Sequence, residues 1–451
     1  MTFPDISRRA TIAPLGVTSL RSTFAWVLAG NIVYALSQWG MISVLARRGT
    51  TAAVGQFALA LAITAPLFLL TNLFLRGIQA TDASSDFAFG DYFTLRSVGT
   101  GTGLVIVALI LLGSRHDPSS WGVVMFVAAA KAVESFTDVI AGFLQKHDRL
   151  DQVAISMMLK GGLSFLAFAA AYLYWHSVVA ASAALCLTWA AVFVGYDVRV
   201  ARTLLEKSAR YLVWDRKVLL KLFKLAAPVG IVMALVSLNG NIPRYAIARC
   251  GGSRELGIFA ALAYVVGVVS LMVNALGQSV IVRLSRSFAA GDTRHFTKLL
   301  CRMALLGIAL CGVGVVLTLA FGRGALRLIY GTEYADHLGL MLILVAGSGI
   351  FAIASFLGYG MSAARRFREQ LPVTLVTVAT CAMAAFLLTP RWGLPGAGIA
   401  IVLSGFSQIV GSLVVLTKAV RSANDHVSSV EPITQANAME LMAALTSVTN
   451  E

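Results

Sequence analysis

Lys131, Glu134 and Asp138 stand three and four residues apart inside an otherwise apolar run, Trp121–Leu144, and Gln145 closes it. At about 100° per residue these four side chains fall within an arc of roughly 60° on one face of a helix. Counting about 1.5 Å per residue from Trp121 puts Lys131 near the middle of a bilayer, about 15 Å in. Lys160 lies at comparable depth on the next apolar run, which returns antiparallel. An ionisable group at that depth costs a few kcal/mol, so such groups face one another or a wet cavity. Two readings are open. In one, Lys131 with Glu134 and Lys160 with Asp138 form a closed ion-pair network that pins two helices. In the other, preferred here, they line a polar pathway: the lysines attract an anionic substrate and Glu134 or Asp138 carries a coupling ion.

Further polar residues interrupt the apolar pattern elsewhere. Arg76 ends the second apolar run, and Arg283 with Arg286 ends the eighth. Arginine grips phosphate through two parallel hydrogen bonds, so these residues suit a phosphate-loading gate; simple anchoring at the basic side of a membrane is the preferred reading. Pro228 and the segment Asn239-Gly240-Asn241-Ile242-Pro243-Arg244 break the regularity of another run, and Pro243 is expected to interrupt its helix. Asn31, Gln38, Asn239, Asn241 and Asn274 can hydrogen-bond a sugar or serve as polar glue between helices.

The elements that must carry these residues are set by composition. Of 451 residues 58% are apolar and 13% charged, with mean hydropathy +0.81. Soluble domains hold about twice that share of charge, so a soluble enzyme and a disordered chain are excluded. Twelve helical spans are expected near 22–46, 53–75, 93–113, 121–144, 152–174, 177–196, 225–248, 256–282, 300–321, 337–361, 372–388 and 395–417. The apolar runs are too long and too continuous for the alternation of a membrane β-barrel. The net charge of +15 is scattered over loops rather than gathered in one motif, which argues against nucleic acid as a partner. With the N-terminus inside, cytoplasmic segments collect 25 Lys and Arg against 9 in the opposite loops, so both termini are placed in the cytoplasm. Five cysteines without a C-x-x-C pair read as small buried hydrophobes, not as disulfides or metal ligands.

The most basic connection, 199–224, holds eight Lys and Arg and divides the chain. The expected organisation is a cytoplasmic N-terminus 1–21, a first six-helix lobe 22–198, a basic cytoplasmic linker 199–224, a second six-helix lobe 225–420 and a cytoplasmic tail 421–451, either disordered or a frayed amphipathic helix. An internal repeat supports the division. Ala46, Arg47, Gly49, Gly55, Phe57 and Ala58 recur 202 positions later as Ala248, Arg249, Gly251, Gly257, Phe259 and Ala260. Six spans per half is an even number, so the halves share orientation about an axis normal to the membrane. The fold class is therefore an all-α polytopic membrane protein, two six-helix lobes around a central cavity.

Several segments resemble the bacterial polysaccharide-unit flippases (the Wzx-like polysaccharide transporters) of the multidrug/oligosaccharidyl-lipid/polysaccharide exporter superfamily. They are 75–82, 131–145, 228–245 with its Asn-Ile-Pro-Arg-Tyr, 255–259, 277–285 and 330–334. The resemblance implies translocation of undecaprenyl-diphosphate-linked oligosaccharide across the bacterial inner membrane by alternating access, for O-antigen, capsule or exopolysaccharide assembly. It implies membrane lipid, a polysaccharide polymerase and chain-length or export proteins as partners. It also implies Lys131, Lys160, Arg76, Arg244 and Arg283 as diphosphate or sugar-acid contacts and Glu134 and Asp138 as ion-coupling groups.

No H-E-x-x-H, Walker-type or G-x-S-x-G motif occurs in the sequence, so no catalytic residue, resident metal or cofactor is assigned and the chain is not read as an enzyme. An H+ or Na+ gradient remains the candidate source of energy. Two alternatives stay open: a cation-coupled drug antiporter of the same superfamily, and a membrane-embedded polysaccharide polymerase or ligase. The second is disfavoured by its need for a large outer loop, since the longest one expected is 322–336.

Overall fold

The computed structural model describes residues 20–82, 85–113, 118–205 and 211–448; at 20–24, 118–119, 268–272, 274–275, 367 and 424–448 it describes the backbone alone. Nearly all of the expected N-terminal segment 1–21 and the side chain of Asn274 therefore lie outside the described residues.

Among the described residues twelve long helices succeed one another in chain order: α1 (Leu20–Arg48), α2 (Thr51–Asn72), α3 (Phe89–Gly113), α4 (Pro118–Lys146), α5 (Leu150–Trp175) and α6 (Val178–Val192), then α7 (Arg216–Cys250), α8 (Gly252–Ala289), α9 (Thr293–Ile329), α10 (Leu338–Ala363), α11 (Phe367–Trp392) and α12 (Leu394–Val448). Ten of these units are long and apolar enough to cross a membrane; the other two long helices are α4, which carries the ionisable stripe, and α8. Large apolar side chains stay exposed along the outer faces, such as Leu305, Val316 and Phe321 on α9. Hydrocarbon, not water, suits such a surface. The chain is a multi-pass membrane protein.

Helix ends explain the connections. His176 takes a left-handed conformation at the end of α5, and Ser177 caps α6 by accepting from the Ala180 amide, so one tight turn suffices there. Pro228 and Pro243 lie inside α7, which runs unbroken to Cys250. This corrects the interrupted helix expected from the sequence. Proline removes the amide that would bind the carbonyl four residues back; for Pro243 that carbonyl is Asn239 O, and the Cys381 thiol of α11 donates to it at 3.5 Å. The neighbouring helix supplies the missing donor, so the axis continues. Beyond the expected lobe boundary the backbone of α12 stays helical to Val448, where the sequence reading leans to disorder. Ala436, Ala438, Met439, Leu441, Ala443 and Ala444 are strong helix formers that account for it.

The first lobe packs α1 on α5, α4 on α6, and α2 on α3 and α4; the second packs α7 on α11, α9 on α10, and α10 and α11 on α12. Between lobes, α2 lies along α7 and α8. The two copies of the repeat meet there. A methyl group on Gly55 would overlap the Ser253 carbonyl, and one on Gly257 would overlap the Thr51 carbonyl. These four positions are themselves related by 202, so the contact sits on the pseudo-two-fold axis. Only glycine lets the two backbones approach so closely. Phe57 and Phe259, with Ala58 and Ala260, are buried beside it. Around the same end, Trp39 donates to Tyr330 OH at 2.9 Å, Arg254 reaches Glu333 at 2.8 Å, and Arg47 donates to the Leu328 carbonyl. That end of the bundle is closed.

Candidate functional site

On α4 the expected stripe forms, and its members divide into two classes. Lys131 Nζ stands 2.6 Å from Glu134 Oε2 and 5.7 Å from the centre of the Trp189 ring. Tyr34 donates to Glu134 Oε1 at 2.9 Å. Four residues on, Asp138 accepts from Arg96 Nη2 at 2.9 Å, while Arg76 Nη1 stands 3.7 Å away. Lys131, Glu134 and Asp138 keep 22%, 36% and 30% of their side-chain surface exposed. They face a cavity of about 600 Å³ bounded by α2, α4 and Met233 of α7, hence lying between the lobes.

Lys160 belongs to the other class. Its Nζ meets Asp197 Oδ2 at 2.8 Å with both side chains buried, 6% and 2% exposed. Asp197 also accepts from Thr137 at 3.0 Å. The expected pairing of Lys160 with Asp138 does not form. The reason is local: α6 ends in a π-helical turn, Phe193–Asp197. Such a turn inserts one residue into the helical register and rotates the residues after it, here bringing Asp197 in to Lys160. A small pocket of about 120 Å³ lined by Glu134, Asp138, Lys160 and Asp197 joins the two groups.

Arg76 reaches the larger cavity because α2 stops short. Leu73 and Phe74 both adopt left-handed backbone conformations, φ 53° and 54°, which cost such side chains about 1–3 kcal/mol each. The chain then resumes as a short helix, Leu75–Thr81, tilted so that Arg76 Nε donates to Gln145 Oε1 at 3.4 Å. Gly142 makes room for it: a Cβ there would stand 3.1 Å from the Arg76 backbone. Beyond, Asp82 ties the turn together. It accepts from the amides of Asp86 and Phe87, from Tyr92 OH and from Lys146 Nζ. Burial raises the Asp82 carboxyl, but these donors and the Lys146 charge outweigh it and hold the group below its usual pKa.

The cluster comprises four cations (Arg76, Arg96, Lys131, Lys160) and three carboxylates (Glu134, Asp138, Asp197), leaving one net positive charge. Arg96 and Asp197 are additions to the sequence reading. Arg96 is completely buried, yet lies seven residues into a helix beginning at Phe89, where it counts as a basic loop anchor. Its distance from Arg76 along the chain gives no signal, and the π turn behind Asp197 has no sequence signature.

The remaining expected residues lie elsewhere. Asn239 lines a separate cavity within the second lobe. Asn241 is buried and donates to the Ser237 carbonyl at 2.8 Å while accepting from Arg244 Nη1 at 2.5 Å; these two act as polar glue within α7. The Gln38 amide nitrogen is buried without a partner among the described residues, outside these cavities. Arg283 is exposed on α8 and takes part in no ion pair among the described residues.

No protein-family profile matches the chain. It is similar to the capsular polysaccharide biosynthesis protein CapF of Staphylococcus aureus, 27% identical over 391 residues, which cover 86% of this chain and 96% of that protein. In structure it is similar to a multidrug resistance MATE family transporter of the MOP superfamily in an inward-facing conformation: TM-score 0.70, 13% identity, 88% of this chain and 99% of the other covered. An outward-facing transporter of the same description gives TM-score 0.57 at 15% identity, covering 89% and 97%. A MOP superfamily transporter from Pyrococcus furiosus, described by the reverse polarity of its binding pocket, gives 0.60 at 16% identity, covering 89% and 94%. The two-lobe, twelve-helix fold is the one these transporters share.

Proposed function

We propose that the chain is a flippase for undecaprenyl-diphosphate-linked oligosaccharide, carrying the units from the cytoplasmic to the periplasmic leaflet of the bacterial inner membrane for capsule, O-antigen or exopolysaccharide assembly. The observation that carries this reading is the interlobe cavity lined by Arg76 and Lys131 together. A guanidinium fork and an ammonium suit a diphosphate, which presents several acceptor oxygens and more than one negative charge. The similarity to a capsule biosynthesis protein supports a polysaccharide cargo.

In this scheme both termini are cytoplasmic and the basic linker marks the loading side. Arg76 meets the diphosphate first, and Lys131 draws it inward once the ammonium leaves Glu134. A proton or Na+ arriving at Glu134 from the gradient releases Lys131, which couples the ion to the cargo. The lobes then part at the contact of Gly55 with Gly257 and close at the loading side. Each elementary charge carried across 100 mV is worth about 2.3 kcal/mol, a relevant quantity for an anionic cargo.

The drug-antiporter reading shares the fold, but a net positive cluster repels a cationic drug. The test is export in cells that depend on this chain. Lys131→Ala is expected to abolish polymer export with protein level unchanged; normal export would remove Lys131 from the pathway.

A further inference from the structure

The second lobe holds a cavity of about 350 Å³ whose largely apolar walls carry uncharged polar groups. Among the residues lining it are Asn239, Gln370, Thr374, Thr377, Gln408 and Ser412, and among the described residues no Asp, Glu, Lys or Arg lines it. Met233 lines this cavity and the cationic one alike, so the two adjoin across the interface of the lobes.

Its hydrogen-bonding capacity is specific. Thr374 donates to the Gln370 carbonyl at 2.8 Å and Thr377 to the Val373 carbonyl at 2.9 Å, so each hydroxyl turns acceptor lone pairs outward. Gln370 Nε2 donates to Ser362 Oγ at 2.8 Å. Asn239 is only 7% exposed, and its Oδ1 has no partner among the described residues. An orphaned buried acceptor costs free energy until a donor reaches it. Phe351 and Tyr359 add apolar walls. An anion here would meet no cation, and a cation would meet no carboxylate. A neutral polyol fits, because each hydroxyl both donates and accepts and a sugar ring has an apolar C–H face for the aromatic walls.

We infer that this second-lobe cavity binds uncharged sugar residues of the cargo, while the first lobe holds the diphosphate. The inference rests on the flippase reading and divides the substrate between lobes by polarity. The volume is at the small end for ligand sites, about 300–1,000 Å³, so the cavity selects one part of the glycan and not the whole unit.

The test uses the full-length chain in lipid nanodiscs and two probes, undecaprenyl diphosphate without sugar and the undecaprenyl-diphosphate oligosaccharide extracted from the source cells. Asn239→Leu and the nearly isosteric Thr374→Val are compared with Lys131→Gln. The second-lobe variants are expected to weaken binding of the oligosaccharide-bearing probe about tenfold, the worth of one hydrogen bond at a buried site, and to leave the sugar-free probe within about twofold. Lys131→Gln weakens both probes. Unchanged affinity of Thr374→Val and Asn239→Leu for the sugar-bearing probe, or an equal loss for both probes, overturns the inference while the flippase reading stands. Failure of the wild-type chain to bind either probe overturns that reading, and the inference with it.

Discussion

Lys160 and Asp197 form a pair whose loss should be felt in folding before transport. Removing one partner leaves a buried charge uncompensated, typically at about 3–5 kcal/mol, whereas replacing both by apolar groups is often neutral. Lys160→Met is therefore expected to lower the thermal midpoint and the protein level sharply, and Lys160→Met with Asp197→Leu to recover most of both, as read by thermal melting in detergent. A single variant as stable as wild type would contradict the sealed pair. Lys131 stands in contrast: it lines the interlobe cavity and is only partly buried, so its loss should spare the fold and stop export. Outside the membrane, Asp82 gives a pH dependence. Its folded pKa lies below the unfolded value, so it contributes stability above about pH 4, the ordinary carboxyl range, and that contribution fades as pH falls through the lower folded value. Asp82→Asn should flatten this acid limb of the stability profile; an unchanged acid limb would show that the clamp adds nothing. The α4 stripe is legible in the sequence because charge inside an apolar run stands out. Its partners are not: Arg96 near a helix start resembles an anchor, and Asp197 depends on a turn type that no residue pattern announces.

Helices hold the site through local exceptions to regularity. The left-handed Leu73 and Phe74 end α2 and swing Arg76 to the interlobe cavity, while Gly142 admits the short helix against α4. A Gly142→Leu chain should fold yet lose most of its export, because the side chain pushes Arg76 away from Gln145 and Asp138. Normal export by that variant would separate Arg76 from the pathway. Helix existence is legible from apolar run length, and the tight turn at His176 closely so, but several ends are not: α7 begins at Arg216, α9 runs on to Ile329 and α12 to Val448, because charged and polar turns continue a helix past its apolar run. Pro243 misleads in the other direction. A proline marks where a helix loses a hydrogen bond, but only the packed structure reveals that Cys381 of α11 takes up the freed carbonyl. The same limit applies to Asn239, Asn241 and Gln38: an amide in a span signals polarity, and its surroundings decide whether it faces a cavity, its own helix or nothing.

Two lobes meeting through equivalent residues make a natural pivot. Gly55 and Gly257 stand out in the sequence as one repeat at an offset of 202, and in the folded chain each presses on the backbone beside the other. Gly257→Leu should wedge the closed end apart, raise labelling of that end by an impermeant thiol reagent and depress export; unaltered labelling would show that the lobes do not close there. The repeat cannot convey that one lobe carries the ions and the other a neutral cavity, since equivalent helices share backbones, not side chains. Transport along this route requires water to reach the α4 stripe. In a chain freed of its five native cysteines, Asn72→Cys and Ala65→Cys, both on the wall of the interlobe cavity, can be challenged with a charged thiol reagent from each side of the membrane. Modification is expected from the side of the basic linker, suppressed when undecaprenyl-diphosphate oligosaccharide is bound. Protection of both positions from either side, with and without that cargo, would contradict transport along this route.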